Sequence, residues 1–170
     1  SFFTMPDYKP TTWDRELAWE ETMKEAKGDI SNVYLQGCGI EKIQSKIYGE
    51  RTVCVYYPTV PFLNLKESSP VLYLQDGSDY SHRANVMTIL DNLIRAKKVK
   101  PFFIVFLDPK DRMKEYWAND DYAKFLAEEV VPVIDSKYNT IKSRDGRAVM
   151  GASLGAITAV NAVLKYPNVF

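Results

Sequence analysis

Six consecutive apolar residues, Phe102 to Leu107, stand between two segments of helical periodicity. A run so short and so uniformly apolar reads as a strand buried on both faces, which requires crossover helices on the two sides of a parallel sheet. The flanking pattern agrees. After Pro70 the chain alternates strand, helix, strand, helix, strand and helix over Val71 to Gln75, Ala84 to Ala96, Phe102 to Leu107, Asp120 to Lys137, Ala148 to Ala152 and Leu154 to Lys165. Apolar stripes fit the helices for packing: Val86, Leu90, Leu93 and Ile94 on one, and Tyr122, Phe125, Leu126, Val130, Val133 and Ile134 on another. Upstream, residues 31–58 change to short alternating stretches broken by Gly37, Gly39 and Gly49-Glu50, the texture of antiparallel strands and hairpins. Thr12 to Lys27 reads as a helix within an arm spanning 1–30, and Pro58 to Pro70 as a loop. The expected fold class is α/β, with N-terminal antiparallel strands leading into parallel βα units over 70–170, all within one domain and with helices on both faces of the sheet.

Composition narrows the partners. Twenty-two basic and 22 acidic residues cancel, so there is no net positive field to draw the chain onto nucleic acid or an anionic membrane. A small, largely neutral ligand is the expected partner. No apolar run approaches the ~20 residues needed to cross a bilayer, and Ser1 to Thr4 lacks the basic leader of a secretory signal. The expectation is a soluble protein, placed in the cytoplasm with a secreted or periplasmic location as the alternative. Cys38 and Cys54 are too few for a disulfide scaffold and read as reduced packing residues, although their neighbouring strand-like segments could bring them together. Metal-ligand spacing, a P-loop and a dinucleotide fingerprint are all missing from the sequence, so no cofactor is implied.

In sheets of this kind ligands bind outside the carboxyl ends of the strands. Three loops should meet there: Asp76 to Arg83, Asp108 to Asn119, and the turn holding Gly151-Ala152-Ser153-Leu154-Gly155. That turn lies between an apolar strand and a helix, the layout of a nucleophile elbow. Its glycines are needed because a Cβ on either side would clash where strand and helix backbones come close. The competing reading is a serine in an ordinary tight turn.

Further segments have the same order as in a known group: Val53-Cys54-Val55-Tyr56-Tyr57-Pro58, Val71 to Gly77, Arg83-Ala84-Asn85-Val86, Lys100 to Val105, Glu128 to Ile134, the Ser153 elbow, and Tyr166-Pro167-Asn168-Val169-Phe170. On these, the chain after about Val53 resembles the esterases that include enterochelin esterases, esterase D-type thioesterases and feruloyl esterases, all with the α/β-hydrolase fold. Arg112-Met113-Lys114-Glu115-Tyr116 leans toward the enterochelin-esterase side, and Arg83-Ala84-Asn85 toward feruloyl esterases. The resemblance implies that Ser153 attacks an ester carbonyl while the Leu154 N–H donates to the oxyanion. A second donor is expected around Gly77-Ser78, and Ser78 is the choice. Each such donor is worth roughly 3 kcal/mol. Arg112 would orient an anionic or catecholate-like substrate, Tyr116 and Trp117 would wall a ring-bearing acyl group, and Asp76 would join them in substrate binding. The plainer readings are an Arg112–Glu115 surface ion pair and ordinary aromatic packing. Asp108, at a strand end, could face the site or simply end the strand. Asn119 or Asp120 is expected to cap the helix that follows.

One departure from the group is large. Triad acid and base follow the serine in that order, yet only 17 residues come after Ser153, and the only histidine, His82, lies upstream. His82 could be a base, a substrate contact or a solvated histidine in a loop or at a helix start, the last being preferred. The expectation is a chain cut or truncated after Phe170, inactive by itself, its partner being the missing C-terminal fragment. The expected activity of the parent is serine carboxylic-ester hydrolysis through an acyl-enzyme, on a siderophore or feruloyl-type ester. A non-catalytic binding domain and an acyltransferase are the alternatives.

Overall fold

In the computed structural model, residues 38–58 and 67–170 are described. The expected helix over Thr12 to Lys27, the strand-like Val33 and Leu35, and most of the loop from Pro58 to Pro70 lie outside the described residues.

Strands β1 (Cys38–Ser45) and β2 (Gly49–Tyr56) form an antiparallel hairpin running from the pair Cys38↔Tyr56 to the pair Ser45↔Gly49. Its turn is drawn tight by the Ser45 hydroxyl, which accepts from the N–H groups of Ile47 and Tyr48 at 3.1 and 2.9 Å. Gly39, read from the sequence as a break, sits inside β1. A Cβ there would come within 2.6 Å of the Tyr138 hydroxyl, so this glycine serves packing rather than a turn.

The alternation after Pro70 folds as β3 (Val71–Gln75), α1 (Gly77–His82), α2 (Val86–Arg95), β4 (Phe103–Leu107), α3 (Arg112–Tyr116), α4 (Asp120–Lys124), a π-helical stretch over Phe125–Val130, α5 (Val131–Lys137), β5 (Arg147–Met150) and α6 (Leu154–Lys165). Two of the expected loops therefore carry short helices, α1 and α3. The expected Asp120–Lys137 helix is continuous but widened in its middle. Pro132, just past the π-helical stretch, has no N–H to donate to a residue four back, and a wide turn accommodates its ring.

The sheet order is β1-β2-β4-β3-β5, with β2 antiparallel to β4 and β3 parallel to both β4 and β5. Every residue of β4 is buried, and the strand feeds two cores. Val105 packs with Val53, Val55, Tyr73, Phe125, Leu126, Val130 and Ile134. Ile104 and Phe106 pack with Tyr56, Leu74, Leu90 and Ile94. Alternate side chains of one strand thus reach opposite layers, which is why no polar residue interrupts Phe102 to Leu107. β3 lies where the order reverses, with β4 on one side and β5 on the other, and its carboxyl end opens the crevice where a ligand site is expected.

A buried ion pair ties the hairpin to the loop helix α3. Arg51 donates to Glu115 at 2.7 Å, and both side chains are 7% exposed. The same Glu115 oxygen accepts from the N–H groups of Lys110 and Asp111, both at 3.2 Å.

Candidate active site

The turn from β5 into α6 holds Ser153 at φ 54°, ψ −119°, a conformation that a residue with a Cβ adopts only under strain. Two hydrogen bonds and a close backbone approach hold it there. The Gly155 N–H donates to the Ala152 carbonyl at 2.9 Å, and the Ala156 N–H to the Ser153 carbonyl at 3.0 Å. A Cβ on Gly151 would lie 2.5 Å from the Gly155 carbonyl carbon and 2.6 Å from its oxygen. The strand can therefore enter the helix this sharply only with glycine at position 151. Ser153 is exposed, and its hydroxyl has no hydrogen-bond partner among the described residues. Leu154 heads a helix of 12 residues, so its N–H is one of the amides that lack an intrahelical acceptor, at the end where the helix dipole is positive.

A clamp supports the elbow from the other two loops. Asp76, at the end of β3, is left-handed at φ 55° and turns its carboxylate toward Arg112 on α3. Arg112 donates to both carboxylate oxygens at 2.8 Å and to the Ala152 carbonyl at 3.4 Å. The Asp76 N–H donates to the Tyr116 hydroxyl at 3.0 Å, and Thr158 of α6 donates to the Tyr116 carbonyl at 2.8 Å. Hydrogen bonding to the Asp76 carboxylate pushes the Arg112 guanidinium above its ordinary value. Gly155 leaves room for this arrangement, since its Cβ would meet the Asp76 Oδ2 at 3.0 Å.

Several sequence expectations change here. Arg112 and Glu115 do not pair with each other; Arg112 goes to Asp76 and Glu115 to the buried Arg51. Tyr116 cannot wall an acyl pocket, because it is 0% exposed and its ring packs on Tyr122. Burial also pushes its phenol well up, so it stays protonated as part of the clamp. Trp117, at 65% exposure, is open to a ligand. The Ser78 amide is occupied: it donates to the two Asp108 oxygens at 3.1 and 3.2 Å, and the Ser78 hydroxyl donates to Asp108 at 2.9 Å. Asp108 therefore faces the loop after β3 rather than ending a strand idly. His82, in the last turn of α1, has Nδ1 2.6 Å from the Ser78 carbonyl and 3.0 Å from the Ser81 hydroxyl. Asn119 caps α4 as expected, its side chain accepting from the Asp121 and Tyr122 N–H groups. The Asp76–Arg112 pair was missed as a unit. Its two members are 36 residues apart, and only the expectation that their loops converge at one sheet end pointed to it.

A model of the Esterase family matches residues 45–170. YjcH, an uncharacterized protein of Bacillus subtilis, is 30% identical over 133 residues, covering 71% of this chain and 52% of that protein. The endo-1,4-beta-xylanase/feruloyl esterase of Xylanibacter ruminicola is 30% identical over 115 residues, which are 62% of this chain and 16% of that one. Among solved structures, enterochelin esterase from Shigella flexneri superposes with a TM-score of 0.68 at 22% identity, covering 79% of this chain and 34% of the other. The chain spans about half the length, or less, of the relatives it matches.

Proposed function

This chain belongs to the esterase family, and from that premise we propose that the protein hydrolyses carboxylic esters through an acyl-enzyme formed on Ser153. The observation that carries the reading is the strained, exposed serine at the head of α6, held at φ 54°, ψ −119° by a strand-to-helix turn too tight for a Cβ at Gly151. Such strain is retained where the surrounding structure enforces it, and it clusters at sites of chemistry.

In this reading the Ser153 hydroxyl gives its proton to a base and bonds to the ester carbonyl carbon. The Leu154 N–H donates to the oxyanion that forms. The alcohol leaves with a proton as the carbon–oxygen bond breaks, and water then releases the acid. The Ser78 amide becomes a second oxyanion donor only if Asp108 lets it go. Arg112, committed to Asp76 and Ala152, acts as a positioning residue. Trp117, exposed five residues further along the same loop, is the side chain assigned here to meet a ring-bearing acyl group, in keeping with relatives named for feruloyl and enterochelin esters.

The acid and base come, in this proposal, from polypeptide outside these 170 residues. The only histidine is His82, whose ring is engaged with Ser78 and Ser81, and losing the base of such a unit costs roughly a millionfold in rate. Among the described residues, no helix is long and apolar enough to cross a membrane.

A fluorophosphonate probe applied to the protein with its full complement of chain tests the assignment. Labelling at Ser153, abolished by Ser153→Ala, is the expected result. A folded protein that leaves Ser153 unlabelled would instead be a binding domain. Product analysis in the presence of an added alcohol separates hydrolysis from acyl transfer.

A further inference from the structure

Both cysteines of the chain lie on one face of the β1–β2 hairpin. Cys54 stands opposite Ile40, and Cys38 opposite Tyr56. Because Cys38 and Ile40 share a face, the two thiols are diagonal cross-strand neighbours. The Cys38 thiol donates to the sulfur of Met87, at the start of α2, over 3.9 Å. Neither thiol is in a disulfide, and both are partly exposed. All three sulfur residues line one cleft of about 430 Å³, together with Thr52 and His82.

The geometry favours an atom held between the sulfurs over a bond joining them. Diagonal partners have Cα atoms about 7–8 Å apart, whereas a disulfide wants roughly 4.4–6.8 Å. Two sulfur–metal bonds of about 2.3 Å each widen that reach. Two thiols and a thioether form a soft donor set, and soft sulfur ligands select Cu(I) among first-row ions. Among the described residues no three His, Cys, Asp or Glu side chains converge, so the ligand set of a structural zinc is not assembled there.

We propose that Cys38, Cys54 and Met87 form a binding site for a soft monovalent cation of the Cu(I) class, reached from solvent through this cleft. On binding, each thiol loses its S–H bond as a sulfur–metal bond forms, its proton passes to solvent, and the metal keeps its oxidation state. The site is independent of Ser153 and stands or falls apart from the esterase reading.

Anaerobic titration of the full chain with Cu(I), against a chromophoric Cu(I) chelator as competitor, should give one metal per chain. Loss of an outer-shell partner alone weakens metal sites about 10–100-fold. Cys38→Ser or Cys54→Ser should therefore weaken binding by about a hundredfold or more, and Met87→Leu by about tenfold. Unchanged affinity in the double cysteine variant overturns the proposal. A measurement on the unaltered chain covers the case in which a variant fails to fold: X-ray absorption at the copper edge should show three sulfur neighbours, and a shell with fewer overturns the assignment.

Discussion

Gly151→Ala is the substitution that most directly challenges the elbow. The added Cβ would sit 2.5 Å from the carbonyl carbon of Gly155, 2.6 Å from its oxygen and 2.9 Å from its Cα. Side-chain carbons need about 3.4 Å or more, so something must give by close to 1 Å. All three atoms are backbone at the head of α6, with no flexible side-chain tip among them. Overpacking of this kind costs about 1–3 kcal/mol, and a backbone obstacle puts the cost at the upper end. For a chain of this size, about 3 kcal/mol lowers Tm by about 6–12 °C. A shift of about 1 Å at the proposed nucleophile can cost about a hundredfold in rate, so fluorophosphonate labelling of Ser153 should slow by a comparable factor. Gly49→Ala is the control. Its φ is +68°, but nothing lies within 4 Å of its Cβ, so it should cost only about 1–2 kcal/mol of left-handed strain and leave labelling unchanged. The reasoning is refuted if Gly151→Ala melts within a degree or two of the parent and labels at the same rate.

Ser153→Gly should abolish labelling while raising stability by about 1 kcal/mol in urea unfolding, because strain of about 1–3 kcal/mol is relieved against a smaller entropic loss; a destabilised variant contradicts the strain. Glu115→Ala should cost about 3–5 kcal/mol by the same assay, since it leaves the buried Arg51 guanidinium without its carboxylate, and a cost under 1 kcal/mol would show the pair to be solvated. Asp91 has its carboxyl raised by burial, with the Tyr56 hydrogen bond opposing. The folded chain therefore holds that proton more tightly than the unfolded one, and the stability this brings is complete below about pH 3.9 and lost as pH climbs through the folded value. Asp91→Asn should stabilise at pH 7 and do little near pH 3, and an equal effect at both would refute the assignment.

The parallel half of the fold was legible because period and length leave little choice there. Val71–Gln75 and Leu154–Lys165 carry the expected boundaries unchanged, since a strand apolar on both faces and a helix headed by a glycine-flanked turn have few competing solutions. The short helices α1 and α3 were not legible. Each holds only five or six residues and is kept by tertiary contacts such as Ser78 with Asp108 and Glu115 with Arg51, not by its own periodicity. Tyr116 misled for a related reason: an aromatic in a loop beside a site is as readily a wall as a brace, and only burial separates them. Ser153 and its flanking glycines were readable because their chemistry is local, whereas Arg112 and Asp76 reveal their pairing only once the chain has folded.

The clamp of Asp76, Arg112 and the Ala152 carbonyl spans separations of 36 and 40 residues, which makes the site late to mature. Contacts so distant in sequence close only after the intervening crossovers have docked. Before then, the serine has no second loop to fix its surroundings. A nascent or partly unravelled chain would hold every residue of the site and still lack its geometry. A single nick in the loop after β3 or β4 would likewise dismantle the arrangement from a distance, with Ser153 chemically untouched.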